Sequence, residues 1–163
     1  MPLPDGRVLI AGGQELNPPF GRLRSAEVYD PATETFTPLP NMAVEHGMGH
    51  TATLLQSGKV LILGGRTGQT AAINPTAVAE LFDPATNTFT SAGEMTPSPA
   101  PSTAPSSSTT ALSSSSAAEL RTSPGVDLAS TAEIYNPATN TFTQVAAPPL
   151  PGLEWTPVFL SKE

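Results

Sequence analysis

The chain has 163 residues, 38% hydrophobic and 13% charged, which is the composition of a weakly charged globular domain rather than of a disordered acidic tail. Its 7 basic and 14 acidic residues give a formal net charge of -7, which argues against binding nucleic acid or an anionic membrane through a basic surface. Because the chain has no cysteine, a disulfide framework, a thiolate metal site and a thiol nucleophile are excluded.

The amino-terminal stretch MPLPDGRVLIAGG does not have the charged and then long apolar segments of a signal peptide. The aliphatic run at residues 60–63 is far too short to span a bilayer. We therefore expect neither a signal peptide nor membrane insertion in this chain. These features do not indicate a compartment, and a longer parent protein could be secreted or displayed on a cell surface.

The first predicted unit covers residues 3–37. Its apolar run VLIA ends in a glycine pair, which lets other backbone approach closely. The matching run VLIL in the second unit is continuously apolar and of strand length, as expected for a strand buried on both faces. AEVY then leads into YDPATETFT, where the Asp30 side chain can accept from turn amides and Pro31 presets φ. The unit therefore reads as strands joined by tight turns.

The second predicted unit, residues 42–90, repeats these parts and adds a strand before them. HTATLL at residues 50–55 and VLIL at residues 60–63 flank a turn containing Gly58, which predicts a hairpin. FDPATNTFT follows at residues 82–90, and YNPATNTFT opens at Tyr135, so Asp30, Asp83 and Asn136 recur every 53 residues. Four strands in a period of about 50 residues are the signature of a propeller blade.

The third unit is interrupted by a Pro/Ser/Thr-rich segment, residues 97–124. Where the period calls for the counterparts of His50 and of the glycine pair, the chain has Thr103, Ala117 and Ala118. Leu112 is the only large apolar side chain in the middle of this segment. We therefore expect disorder or poorly packed coil across residues 97–124, and only the remainder of a third blade at residues 128–143.

Two explanations of this segment stay open. One is a Pro/Ser/Thr linker, the usual meaning of such a composition. The other, which we favour, is an out-of-frame translation of residues from about 98 to between 119 and 128, because a linker has no reason to keep the repeat spacing. Read in the shifted frame with GC-rich codons, the segment becomes HSAVLLDNGTVLVVGG, which aligns without a gap on HTATLLQSGKVLILGG. The coding DNA distinguishes the two.

The repeated units resemble the kelch family. The resemblance rests on an apolar run that ends in two glycines, followed by two aromatics separated by six residues. The aromatic pairs are Tyr29 and Phe36, Phe82 and Phe89, and Tyr135 and Phe142. The family usually has tryptophan at the second position, so phenylalanine is a departure. The resemblance implies an all-β fold, an incomplete kelch β-propeller of two to three four-stranded blades with a low-complexity segment.

An incomplete propeller of two to three blades leaves strand edges uncovered at its two ends. EWTPVFL at residues 154–160 is a candidate closing strand, either starting a further blade or folding back beside residues 8–11. We expect the chain to be a fragment of a larger propeller, with exposed edges that favour self-association.

Candidate chemistry is sparse. Glu27, Glu80 and Glu133 recur once per unit, which indicates a structural role in the blade rather than a single active site. His46 and His50 have the spacing of a ligand pair, but no third ligand accompanies them, so we expect no metal site and no cofactor.

Recognition is expected in the loops that differ between units, residues 14–24 and 66–77, because variable loops on a repeated scaffold carry binding. The best contact residues are Phe20, Arg22, Arg24 and Arg66, since aromatic and arginine side chains dominate interface energetics. The alternative, that they are solvated loop residues, stays open. The resemblance implies a non-enzymatic scaffold that binds protein or carbohydrate.

The second hypothesis is that the chain is a remnant of a copper-radical oxidase of the galactose-oxidase type, whose catalytic domain is a kelch propeller. Resemblance to that type of oxidase would imply a Tyr-Cys cofactor, with Tyr and His side chains as ligands to copper. Here there is no cysteine, and both tyrosines, Tyr29 and Tyr135, occupy repeat aromatic positions. We therefore expect no enzymatic activity from this chain.

Overall fold

The computed structural model describes residues 1–17, 21–68, 74–95, 111–113 and 131–146. Every regular element in these residues is a β-strand, as the sequence predicts. No helix long and apolar enough to cross a membrane occurs among them. The chain forms two compact units, Met1–Ala92 and Gly93–Glu163.

The first sheet contains β1 (Val8–Ala11), β2 (Ala26–Asp30) and β3 (Thr35–Pro38), in the order β1-β2-β3 with antiparallel pairing. Its register places Tyr29 opposite both Val8 and Phe36. At the outer edge of β1, Pro2 forms a bridge with Val8 and the amino group of Met1 donates to the carbonyl of Leu9 at 2.7 Å. This sheet is the predicted first blade.

The second sheet has four strands in the order β4-β5-β8-β9: β4 (His50–Leu54), β5 (Val60–Gly64), β8 (Val78–Asp83) and β9 (Thr88–Glu94). All five residues of β5 are buried, which confirms a strand covered on both faces. Val60 pairs with Phe82 just as Val8 pairs with Tyr29, so the register repeats. Between β5 and β8, the short strands β6 (Arg66–Thr67) and β7 (Asn74–Pro75) form a small hairpin that the repeat pattern does not predict.

The two sheets of residues 1–92 share one hydrophobic core. The buried cluster draws on both of them, namely Leu3, Leu9, Val28, Met42, Val60, Ile62 and Phe82. Burying one leucine-sized side chain stabilises a fold by about 1.5–3 kcal/mol relative to leaving it exposed. Each sheet therefore depends on the other for part of its stability.

One glycine of each pair at the ends of β1 and β5 is required by close backbone contact, as predicted. A Cβ added to Gly12 would collide with the carbonyl oxygen of His46, and one added to Gly65 would lie 2.9 Å from the carbonyl oxygen of Gly47. Both glycines also have positive φ, +65° and +85°. The residues between β3 and β4 can run past the ends of both strands only because these positions have no side chain.

The DPAT turns adopt one conformation in all three repeats. The side chain of Asp30, Asp83 or Asn136 accepts from the amide two residues later, at 2.8, 3.0 and 3.0 Å. Four residues after each of them, the chain takes positive φ at Glu34, Asn87 and Asn140. The predicted turn chemistry is confirmed.

The unit Gly93–Glu163 contains β10 (Ala111–Ser113), β11 (Thr131–Asn136) and β12 (Thr141–Ala146), in the order β10-β11-β12. β11 and β12 are antiparallel, with Tyr135 opposite Phe142 as in the other repeats. β10 lies inside the segment expected to be coil, and it pairs parallel to β11, where the other blades have an antiparallel partner. The rest of residues 97–124, and the candidate closing strand at residues 154–160, lie outside the described residues.

Candidate functional site

The strand connections of residues 1–92 lie at two opposite ends of the sheets. The tight turns at residues 4–7, 55–59, 30–35 and 83–88 lie at one end, which we call the turn end. The connections β1 to β2, β3 to β4 and β5 to β8 lie at the other, which we call the loop end. Alternation of ends follows from antiparallel pairing of neighbouring strands.

The cations of the turn end are paired. Arg7 forms an ion pair with Asp5 at 2.7 Å, and Lys59 forms one with Asp83 at 3.1 Å. The hydrogen bond from Arg7 lowers the pKa of Asp5, and the hydrogen bond from Lys59 lowers that of Asp83. A cavity of about 260 Å³ lies here, lined in part by these two carboxylates, but both of them already have partners. The turn end therefore offers little charge for recognition.

The arginines of the loop end differ from the cations of the turn end in having no carboxylate partner among the described residues. Within the described ranges, no carboxylate lies within ion-pair distance of Arg22, Arg24 or Arg66. Arg24 and Arg66 are exposed, and the Nε of Arg22 is buried without a hydrogen-bond partner. All three were predicted as contact residues. Phe20, the fourth, lies outside the described residues.

Gly47 brings Arg22 and Arg66 near each other. Its amide donates to the carbonyl oxygen of Arg66 at 2.9 Å, and a Cβ added to it would collide with the Cγ of Arg22. The aliphatic part of Arg22 therefore packs directly on the backbone between β3 and β4. The repeat pattern does not predict a role for Gly47, because this residue lies outside the repeated glycine pairs.

Two exposed apolar side chains also lie at the loop end. Leu16 is 81% exposed and Met48 is 63% exposed, far more than the buried residues of the core. Met48 follows Gly47 directly, and Leu16 follows Gln14, which forms a bridge with Arg22. The loop end thus combines guanidinium groups with apolar contact area. Leu16 lies in the predicted recognition loop, residues 14–24, but neither Leu16 nor Met48 was predicted as a contact residue, since single apolar residues in loops give no periodic signal.

A buried pair, His46 and Glu80, fixes the segment between β3 and β4. The Nε2 of His46 lies 3.2 Å from Glu80 Oε2, and its Nδ1 lies 2.8 Å from the carbonyl oxygen of Gly64. Since both ring nitrogens face acceptors, neither is free to bind a metal ion in this arrangement. No group of three or more His, Asp or Glu residues suited to a metal ion occurs in the part of the chain that the structure describes.

Glu80 is the centre of this contact. Its carboxylate also accepts from the amides of Ala43 at 2.9 Å and Val44 at 3.3 Å. Burial raises the pKa of Glu80, but the hydrogen bonds from His46 and the two amides outweigh it, so the pKa lies below its ordinary value. The repeated glutamate therefore has a blade-packing role in the second unit.

The comparison with protein families identifies the same repeats. The family model described as the Kelch motif matches residues 3–43 and 50–96, together more than half of the chain. A search of curated protein sequences gave no match. Kelch repeats commonly mediate protein binding. The matched stretches coincide with the two sheets of residues 1–92, and the chain belongs to the kelch-repeat family.

Proposed function

We propose that this protein is a non-enzymatic interaction scaffold that binds a protein partner through its loop end, with Arg22, Arg24 and Arg66 in the contact surface. The observation that carries the proposal is the contrast between the two ends of residues 1–92. Arg7 and Lys59 at the turn end have carboxylate partners, whereas the three loop-end arginines have none among the described residues. A partner can supply these carboxylates.

Arginine suits this role because its planar guanidinium donates two parallel hydrogen bonds to a carboxylate. The exposed Leu16 and Met48 add apolar area, which favours a polypeptide that presents acidic and apolar side chains together. Glu15 and Glu45 also lie at this end, and Glu45 accepts from the amide of Gly68 at 2.7 Å. These acidic residues disfavour a dense polyanion as the partner.

The oxidase alternative has no observation in its favour. Tyr29 packs against Phe36 with ring centroids 4.7 Å apart, and Tyr135 packs against Phe142 at 5.0 Å. The hydroxyl of Tyr135 donates to Asn140 at 2.8 Å, and burial raises its pKa. Both tyrosines therefore have packing roles within their own repeats.

A peptide array tests the proposal. The full chain is probed against peptides of varied charge and hydrophobicity, and the affinity of the best ligand is measured by fluorescence anisotropy. We expect the ligands to combine Asp or Glu with apolar residues, and the variant R22A/R66A to bind at least about tenfold more weakly, since hot-spot arginines contribute at least about 2 kcal/mol. Added salt should weaken binding further.

Lys59→Ala is the matched control, because it removes a cation from the turn end. Its affinity should stay within about twofold of the unmodified chain, the range of an exposed ion pair. Peptides that bind R22A/R66A as tightly as the unmodified chain would contradict the proposal. Binding of neutral oligosaccharides, with no peptide ligand found, would contradict the choice of a protein partner.

A further inference from the structure

Met48 is the methionine of this chain that an oxidant reaches most easily. Its side chain is 63% exposed, whereas those of Met42 and Met95 are 1% and 5% exposed and that of Met1 is half-buried. The chain has four methionines and no cysteine, so no thiol competes for the oxidant. Because oxidation of sulfur-containing side chains follows their exposure, Met48 should react first.

Neither chain neighbour of Met48 has a side chain that could cover its thioether. A Cβ added to Gly49 would meet no atom within 4 Å, so the space beside this residue is open. Gly47 is held in place from both sides. Its amide donates to the carbonyl oxygen of Arg66, and its own carbonyl oxygen lies 2.9 Å from Nδ1 of His50. The structure therefore presents an exposed thioether next to a fixed point of the loop end.

The side chain of Arg22 lies against the same fixed point. Its Cγ occupies the space that a side chain on Gly47 would need, so the stem of Arg22 packs on the residue that precedes Met48. The Nε of Arg22 is the nitrogen that is buried without a hydrogen-bond partner. The terminal nitrogens also have no partner among the described residues, but they are not buried. They can donate to an acceptor that forms at Met48.

We propose that Met48 is a modification site, at which a hydroperoxide forms methionine sulfoxide and the sulfoxide oxygen accepts a hydrogen bond from Arg22. The sulfur attacks the terminal oxygen of the hydroperoxide, the O–O bond breaks and an S–O bond forms. The sulfur is oxidised and the peroxide is reduced. The proton of the attacked oxygen moves to the departing oxygen, which leaves as water or as an alcohol. A polar group then stands where the thioether was apolar.

Oxidation of Met48 weakens the binding proposed for the loop end, and this consequence rests on that proposed function. The sulfoxide removes apolar contact area, and it occupies a guanidinium that the carboxylate of a partner would otherwise use. Methionine sulfoxide is reduced again by dedicated reductases, so the change is reversible. The loop end would thus bind its partner only while Met48 is reduced.

Peptide mapping and NMR of the full chain test the site without a partner. The folded chain is treated with hydrogen peroxide, and oxygen addition at each methionine is followed by mass spectrometry. We expect Met48 to react at least about tenfold faster than Met42 and Met95. The Nε–H signal of Arg22 should shift in the oxidised chain, whereas that of Arg7, which is already paired at the turn end, should not.

Met48→Leu is the matched control, since leucine keeps the apolar volume and cannot be oxidised. In this variant, peroxide should leave the Arg22 signal unchanged. Oxidation of Met42 or Met95 as fast as Met48 in the folded chain would overturn the inference. An unchanged Arg22 signal after complete oxidation of Met48 would overturn it too.

Binding of the best ligand from the peptide array gives the second readout. We expect oxidation to lower the affinity by about tenfold, the effect of losing one buried apolar contact. Met48→Leu should keep its affinity after peroxide treatment, and Met48→Gln should bind more weakly without any treatment. Equal affinities of the oxidised and untreated chains would overturn the inference and leave the proposed function intact. If no peptide binds, the proposed function fails, and the mapping and the Arg22 signal still decide the inference.

Discussion

Glu80 shows how a residue repeated for structural reasons acquires a definite set of partners. The carboxylate is almost fully buried, and its hydrogen bonds come from residues 34 to 37 positions earlier in the chain. Leaving such a group without partners costs more than the bond itself contributes, because the buried polar atoms lose their hydration. The His46–Glu80 contact therefore stabilises the docking of the two blades.

We expect this contact to make stability depend on acidity. Because the pKa of Glu80 is lowered in the folded chain, its contribution is present above its ordinary pKa and is lost as the pH falls through the lowered value. Urea unfolding at pH 7 should show that Glu80→Gln lowers the free energy of unfolding by about 1–3 kcal/mol. The difference between the two chains should shrink at pH 3. A difference that stays constant between these pH values would contradict the assignment.

Arg7 and Lys59 occupy equivalent repeat positions, but their side chains form different contacts. Arg7 donates to the carbonyl of Pro84 at 2.8 Å and to Asn87 at 3.2 Å, so it links the first blade to the second. We expect Arg7→Ala to lower the free energy of unfolding by about 1–2 kcal/mol, measured by urea unfolding. Lys59→Ala removes only an exposed ion pair and should change it by less than about 1 kcal/mol. Equal effects of the two substitutions would show that Arg7 does not link the blades.

In the first DPAT turn, the positive φ of Glu34 lowers the stability of the fold, and a substitution can relieve this cost. Glu34 has φ 57°, whereas the equivalent positions in the other repeats are Asn87 and Asn140, a residue type that tolerates this region better. Glu34 is exposed and has no hydrogen-bond partner among the described residues. We expect Glu34→Asn to raise the free energy of unfolding by about 0.5–1 kcal/mol, measured by thermal or urea unfolding.

Glu34→Gln separates this backbone effect from the removal of a negative charge. It should change the free energy of unfolding by less than about 0.5 kcal/mol, as most surface substitutions do. If Glu34→Gln stabilises the chain as much as Glu34→Asn, the gain comes from charge, and the conformational explanation is wrong.

The elements that the sequence predicted best are those determined by neighbouring residues. The apolar run of β5, its glycine pair and the turn at Asp83 each follow from local pattern and turn chemistry. The β6–β7 hairpin and the parallel pairing of β10 do not recur between repeats, so the period gives no indication of them.

The site was predicted less completely than the fold. The unequal loops indicated where Arg22, Arg24 and Arg66 lie, but not that they lack carboxylate partners, because pairing depends on how separate loops meet. For the same reason, the role of Gly47 against Arg22 and the match of His46 to Glu80 appear only once the blades are docked.

Residues 1–92 behave as a pair of blades with one shared core and two chemically different ends. The turn end neutralises its own cations, and the loop end has two exposed apolar side chains and three arginines without carboxylate partners among the described residues. The net charge of -7 makes these arginines exceptional on an acidic chain, which favours local rather than long-range attraction to a partner. Variable loops on a repeated scaffold provide this division of roles.

The strand register in solution is the most direct test of tandem kelch blades. In antiparallel sheets, residues in non-hydrogen-bonded pairs bring their α-protons close together. Leu9 with Val28, and Leu61 with Leu81, are the equivalent pairs of the two sheets. NMR of the full chain should show an α-proton cross-peak for each pair. Helical chemical shifts over residues 8–11 and 60–64, or cross-peaks that place the two strand pairs in different registers, would contradict the repeated-blade architecture.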